Sequence, residues 1–273
     1  MAQSLYTIIC YSHTDYLDIL NVQNRYLLQY PEEKILLINE NNMKHTQEFT
    51  NSTSCFGQIL YYNDSLNYPK KIYNTLCNIN IKNKHIIFLH DNDILIQKKQ
   101  ENIIKIINLM NNHNIHRVDF QNWYHKRAIF DDIIPVYDNA SIRKTLNDDY
   151  YYNVNPSIWE LKSFLELMNN IDIHYRVSEC HETQQFCKSK YNIYRLYDES
   201  NVIFSPEKST DTFITIHITF GGVLVNPYSK VYHMGEDYNF SEKYINEYVK
   251  ILNTFSLGNK REMHVIQRYG FNE

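Results

Sequence analysis

The chain has 273 residues, 43% of them hydrophobic and 21% charged, with a net charge of −4. That is long and apolar enough for one large α/β domain with a sizeable core. It excludes a generally basic, nucleic-acid-binding surface, and no apolar run approaches the ~18 residues of a membrane span.

In chain order, Leu5 to Cys10 (LYTIIC) reads as the first strand. Thr14 or Asp15 is placed to cap a helix from about Tyr16 to Gln29, with Pro31 just past its end. Lys34 to Ile38 (KILLI) is a second strand that runs into Asn39 and Glu40. Met43 to Cys55 is polar and gives no periodic signal. Gln58 to Tyr62 is a short third strand, and Pro69 opens a helix over Tyr68 to Ile79. Lys84 to Leu89 is the next strand. This strand–helix alternation predicts a parallel sheet with covering helices. Lys98 to Asn111 is amphipathic, and Ile115 to Phe120 is another strand. Gln121 to Asp149 reads as short strands or loops, and Tyr150 to Val154 is β-prone. Asn155 and Pro156 look like the cap and first-turn proline of a helix, PSIWELKSFLELMNN. An extended segment over Ile171 to Ser178 precedes a short helix, His181 to Lys188. Ile193–Leu196, Val202–Phe204 and Phe213–Phe220 are candidate strands, Gly221 and Gly222 mark a turn, and Ser241 to Phe255 is an amphipathic helix.

Five cysteines without C-x-x-C spacing predict reduced thiols in a cytosol-like compartment. The start, MAQSLYTIICYS, lacks the basic flank of a signal peptide, so a cytoplasmic protein is expected. The 24 tyrosines, with abundant Asn, Ile and Lys, read as the mark of AT-rich codons rather than as a stacking platform.

The stretch with the clearest chemistry is KHIIFLHDNDILI, Lys84 to Ile96. A buried strand ends in His90, Asp91, Asn92 and Asp93, at the sheet edge where open α/β folds bind ligands. Two carboxylates one residue apart suit Mg²⁺ or Mn²⁺ shared with substrate phosphates. The plain alternative is a strand-to-loop junction whose aspartates cap a turn.

Taken together, TIICYSHTDY, ILLINENN, IIFLHDND, YYNVNPSIWELKSFLEL, RVSECHETQQFC and NPYSKVYHMGE resemble, in order, the motifs of GT-A fold glycosyltransferases. The resemblance is to the bacterial and viral family with a "QPAIW"-like segment, and Asn155 and Ser157 depart from its Gln and Ala. It implies a Rossmann-like, mostly parallel sheet flanked by helices, as a domain over residues 1–240 with a helical tail over 241–273. It implies a nucleotide-sugar donor, a UDP-sugar by expectation, and a glycan, lipid-linked or protein acceptor, without nucleic acid; a homodimer is compatible with it. A viral source would place the protein in a host cytoplasm.

The resemblance also implies residue roles. Asp93 is the leading metal ligand, Asp91 binds the metal or the ribose, and His233 is the third protein ligand. His90 either contacts ribose or packs the strand end. Ser12, His13 and Asp15, with Asn39 and Glu40, stand where base and ribose would sit, and Lys71 or Lys70 where the diphosphate would. Glu182, with Glu179 in reserve, is the general base of an inverting transfer or else a helix cap. Asn155 and Trp159 line the acceptor site, unless the tryptophan is core. A sugar nucleotidyltransferase is the rival enzyme, but it needs a Gly-rich phosphate loop, and Leu5 to Asp18 has no glycine. A non-catalytic carbohydrate-binding domain is the third reading.

Overall fold

A computed structural model describes residues 5–40, 46–120, 130–138, 140–145, 151–172, 179–198, 212–220, 223–228, 231–233, 236–238 and 242–264. Apolar β-branched runs form β1 (Tyr6–Tyr11), β2 (Lys34–Asn39), β3 (Gln58–Tyr62) and β4 (His85–His90). Between them lie α1 (Leu17–Leu27), α2 (Gln47–Thr53) and α3 (Tyr68–Leu76). Then come β5 (Asp93–Lys98), α4 (Gln100–Asn112), β6 (Arg117–Asp119), β7 (Phe130–Tyr137) and β8 (Ala140–Thr145). β9 (Ser157–Glu160), α5 (Leu161–Asn170), α6 (His181–Lys190) and β10 (Ile193–Asp198) follow. The C-terminal part holds β11 (Phe213–His217), β12 (Thr219–Phe220), β13 (Val223–Val225), β14 (Val231–His233), β15 (Glu236–Tyr238), α7 (Glu242–Phe255) and β16 (Met263–His264).

The main sheet has the order β3-β2-β1-β4-β9-β6-β10-β8-β7. Only β9 and β8 run against the rest. This is a mixed, mostly parallel sheet flanked by helices, as the resemblance implies. Its central strands β1, β2 and β4 are buried on both faces because helices cover both, whereas the edge strands β3 and β7 are partly exposed. Ile8, Cys10, Leu36, Ile87 and Leu89 pack against α1, α2 and α4 on one face. Ile9, Ile35, Leu37, Ile86 and Phe88 pack against α3, α5 and α6 on the other. Period-2 alternation of two apolar sets is the reason these runs read as continuous rather than amphipathic. A third cluster joins α7 to the outer side of α1 through Ile19, Val22, Tyr244 and Tyr248, with Ile94 and Ile216 from the β5–β11 pair.

The expected helix over PSIWELKSFLELMNN is corrected in its first turn. Ser157 to Glu160 is a strand, wedged antiparallel between β4 and β6, and α5 begins only at Leu161. Ile158 packs with one core cluster and Trp159 with the other, the alternation of a buried strand. Two flanking strands offer unpaired backbone on both sides, which outweighs the Asn-Pro start signal. Within the unreadable Met43–Cys55 stretch, Thr46 caps α2 by accepting the Phe49 amide at 3.2 Å. Residues 151–154 form no strand, and Phe213–Phe220 divides into β11 and β12. The expected Val202–Phe204 strand, the Gly221-Gly222 turn and most of Ile171–Ser178 lie outside the described residues.

His85, at the start of β4, is 3% exposed. Burial, then the neighbouring Lys84 charge, pushes its pKa down to about 4, against a smaller upward pull from Glu160. The unfolded chain therefore binds a proton near pH 6.5 that the folded chain refuses until about pH 4. Stability is full above pH 6.5 and falls as pH drops through that window, by up to about 3 kcal/mol at 1.36 kcal/mol per unit. Urea unfolding at pH 7 and pH 5 is expected to show His85→Gln losing up to about 2 kcal/mol less than the wild type between the two. Equal losses would contradict the assignment.

Candidate active site

Parallel pairing brings the carboxyl ends of β1 to β4 to one edge. Tyr11 sits opposite His90, and Asn39 opposite Tyr62. The chain leaving β4 turns tightly there, with the Asp91 amide donating to the Tyr11 carbonyl at 3.0 Å. The Ser12 hydroxyl donates to Asp91 Oδ2 at 2.6 Å. Burial pushes the Asp91 carboxyl up to about pKa 7; bonds from Ser12 and the Asn92 and His13 backbone pull it down, and Asp93 pushes it up again. A neighbouring cation would favour its ionised form.

Asp93 is the more deeply buried of the pair, at 2% exposure. Its Oδ1 lies 3.0 Å from His217 Nδ1, and its Oδ2 lies 3.9 Å from His90 Nδ1. His90 Nε2 in turn meets the Tyr68 hydroxyl at 2.8 Å. His217 was not legible as a site residue in the sequence, because β11 pairs with β5 far along the chain. Its one signal is a histidine inside the apolar run FITIHITF.

The other expected donor residues divide. Asn39 is buried, and its amide brackets Thr14: Oδ1 accepts the Thr14 amide at 2.8 Å, and Nδ2 donates to Thr14 Oγ1 at 3.1 Å. It thus braces the loop after β1. His13 caps the short 3-10 turn Thr14–Tyr16 by accepting the Asp15 amide, and its ring faces the Asp15 and Asp64 carboxylates at 3.3 Å each. Lys71 pairs with Asp64 at 2.8 Å and lies 5.0 Å from the Tyr62 ring centroid. Lys70 instead donates to the Asn169 carbonyl at the end of α5. Glu40 is exposed, one residue past β2.

Tyrosines cluster at this edge. Tyr11 stacks on Tyr62 with ring centroids 5.0 Å apart and 8° between planes, and Tyr68 meets Tyr11 edge-on at 5.1 Å. The Tyr62 hydroxyl donates to the Ser12 carbonyl at 2.8 Å. Codon bias supplies many tyrosines, but the ends of β1 and β3 and the start of α3 gather these into an aromatic cluster, with Tyr62 and Tyr68 buried and Tyr11 half-buried.

Of the residues expected at the acceptor, Trp159 is corrected to core. It is 2% exposed, its indole N–H donates to Ser157 Oγ, and the buried Arg117 guanidinium lies 5.0 Å from its ring. Asn155 is half-buried just before β9, on the side of Ser157 that continues past Phe88 toward His90. Glu179 accepts the Val154 amide at 2.8 Å and so fastens the same segment. Glu182 is exposed in the first turn of α6. Its own backbone amide, then the Cys180 side chain, hold its carboxylate below the usual range. His233 ends β14; its side chain lies outside the described residues.

A cleft of about 560 Å³ opens where the Thr14–Asp18 segment meets the C-terminal residues, with Glu48 and Arg261 on its walls. Arg261 forks onto both Asp18 carboxylate oxygens at 2.7 Å and onto the Asp15 carbonyl at 2.8 Å. The loop after β1 is thereby tied to the far end of the chain.

No protein-family model and no curated protein matches the chain. Among solved structures it is similar to 4-diphosphocytidyl-2C-methyl-D-erythritol synthase from Anaerococcus prevotii. That match has 14% identity, covers 72% of this chain and 88% of that one, and has a TM-score of 0.44. It is also similar to S. aureus TarS residues 1–349 in complex with UDP-GlcNAc, at 13% identity and TM-score 0.45. There the match covers 75% of this chain and 63% of that chain, so under two thirds of the TarS segment is spanned. Both likenesses are distant.

Proposed function

We propose that this chain is a metal-dependent glycosyltransferase that moves a sugar from a UDP-sugar to a hydroxyl acceptor with inversion. The observation that carries the reading is the Ser12–Asp91 contact at the carboxyl edge of the sheet. It joins the loop after β1 to the Asp91–Asp93 turn, where a nucleotide diphosphate and its cation would be held in such folds.

The residues there fit a hard divalent cation. Carboxylates supply oxygen donors, and Asn92 Oδ1 is a buried oxygen without a hydrogen-bond partner. Among the described residues no three His, Cys, Asp or Glu side chains gather into a closed ligand cage. Mg²⁺ is commonly bound through one or two carboxylates and completed by substrate phosphates. Asp91 and Asp93 would hold the ion, with His233 joining them as the resemblance implies. The ion would supply charge stabilisation for the departing diphosphate.

The remaining roles belong to the chain itself. Tyr11, half-buried and backed by the buried Tyr62, offers an apolar surface for the base, Asn39 and His13 fix the loop beside it, and Lys71 supplies positive charge. Asn155 orients the acceptor, and Glu182 takes the proton of its attacking hydroxyl.

The loop geometry disfavours a nucleotidyltransferase. Such an enzyme cradles a triphosphate on free backbone amides. Here the amides of Thr14, Asp15 and Tyr16 already donate to Asn39, the His13 side chain and the His13 carbonyl. A screen of nucleotide sugars is expected to show slow hydrolysis of a UDP-sugar in Mn²⁺ and none in EDTA. Turnover of a nucleoside triphosphate with a sugar phosphate instead would overturn the reading.

A further inference from the structure

We infer that His217 is the positioning residue of the Asp91–Asp93 turn, holding Asp93 and Asn92 in the orientation that receives the diphosphate and its cation. This rests on the reading of the turn as the donor site, and assigns a residue to it that the sequence motifs leave out.

The backbone places the ring with little freedom. His217 is the last residue of β11, directly opposite Asp93 in the antiparallel pair with β5. The next residue, Ile218, donates its amide to the Asn92 carbonyl at 3.2 Å. The His217 carbonyl accepts the Tyr244 hydroxyl at 3.1 Å, which anchors this position to α7. From the other side, Gln23 of α1 clamps β5. Its amide donates to the Asp93 carbonyl at 3.2 Å, and its Oε1 accepts the Leu95 amide at 3.0 Å.

Within that frame the two ring nitrogens face the two turn residues. Nδ1 lies 3.0 Å from Asp93 Oδ1, and Nε2 lies 3.3 Å from Asn92 Nδ2. A carboxylate only accepts, and a carboxamide nitrogen only donates. The neutral tautomer with its proton on Nδ1 satisfies both contacts at once. The ring therefore fixes the Asp93 carboxyl rotamer and turns the Asn92 amide so that its nitrogen is engaged and its oxygen is left over. That oxygen is the buried acceptor without a hydrogen-bond partner. Partners that orient ligand groups in this way typically cost ~10- to 100-fold in metal affinity when removed.

The test compares UDP titrations in Mn²⁺ and in EDTA for wild type, H217L and H217N. Leucine fills the space without a donor. Asparagine places an amide N–H near the Nδ1 position and should still hold Asp93. H217L is expected to lose ~10- to 100-fold of the Mn²⁺-dependent gain in UDP affinity while its EDTA affinity stays unchanged. H217N should keep that gain to within about threefold, a difference that a packing role alone would not produce. If H217L does not fold, the histidine ¹⁵N spectrum of the wild type decides, with the His217 signal identified by its loss in H217N. That signal is expected to move on adding UDP with Mg²⁺ and to stay in place with UDP in EDTA. Equal gains in all three proteins, equal losses in both variants, or an unmoved signal would overturn the inference and leave the donor site standing. A wild type with no metal-dependent gain would instead sink the donor-site reading, and this inference with it.

Discussion

Glu182→Gln is expected to lower glycosyl turnover by roughly 10²–10⁴ while leaving UDP affinity intact. Glu179 and Glu182 both belong to the segment that begins α6, but Glu179 is engaged with the Val154 amide. Glu182 is one turn on and exposed, and the helix start keeps it ionised. The Glu179 contact ties α6 to the strand-leading segment that carries Asn155. Gln184 reinforces it by bracketing Tyr152, accepting its amide and donating to its carbonyl at 2.7 Å each. The Glu182 contacts, with its own amide and Cys180, stay within the helix start, and its exposed carboxylate is able to take a proton. Glu179→Gln should act mainly through stability, with a smaller loss of turnover. Wild-type turnover in Glu182→Gln would remove the base assignment. A product that retains the donor's anomeric configuration would move the chemistry to a retaining route and leave the donor site untouched.

The second large effect is on folding. Glu32→Ala is expected to cost about 3–5 kcal/mol in urea unfolding, because it strands a buried cation. Lys98 Nζ lies 2.7 Å from Glu32 Oε1, and both side chains are at most 3% exposed. The Tyr6 hydroxyl donates to the same oxygen at 2.9 Å, and Lys98 also donates to Gln100 Oε1 at 2.7 Å. The ammonium lies 4.7 Å and 5.4 Å from the Tyr30 and Tyr6 ring centroids. Burial pushes the Lys98 pKa down, and Glu32 holds it up. Without Glu32, only the uncharged Gln100 oxygen and the two rings remain to offset desolvation. The double variant Glu32→Ala, Lys98→Met should recover most of the loss, since an apolar pair carries no charge to bury. A double variant as unstable as the single one would show that packing, not charge, sets the cost.

How much was legible in the sequence follows from where the physics is local. β1, β2 and β4 were readable because each is an apolar run covered on both faces, and the edge strand β3 because it is a short β-prone run. The Asp91–Asp93 turn was readable because it interrupts one of them. The Ser157–Glu160 strand was not, since Asn155 and Pro156 carry a strong local helix-start signal and the winning term, pairing with β4 and β6, is tertiary. Trp159 followed that error: on a helix it has an outer face, and on a central strand it has none. His217 was missed because its role depends on an antiparallel pairing across more than 120 residues. The edge tyrosines were discounted because their number has a codon explanation, whereas their meaning lies in strand register. Asn39 was found for its place after β2, yet its side chain is spent on Thr14, so it shapes the loop.

The proposed role of the Asp91–Asp93 turn is to bind a nucleotide diphosphate through a divalent cation. It is tested most directly by titrating UDP into wild type, Asp91→Ala and Asp93→Ala, each in Mn²⁺ and in EDTA. The expected result is a clear Mn²⁺-dependent gain in wild-type affinity that each substitution reduces by ~10-fold or more, with little change in EDTA. Wild-type affinity that is the same in Mn²⁺ and EDTA, or variants that keep the full gain, would contradict it.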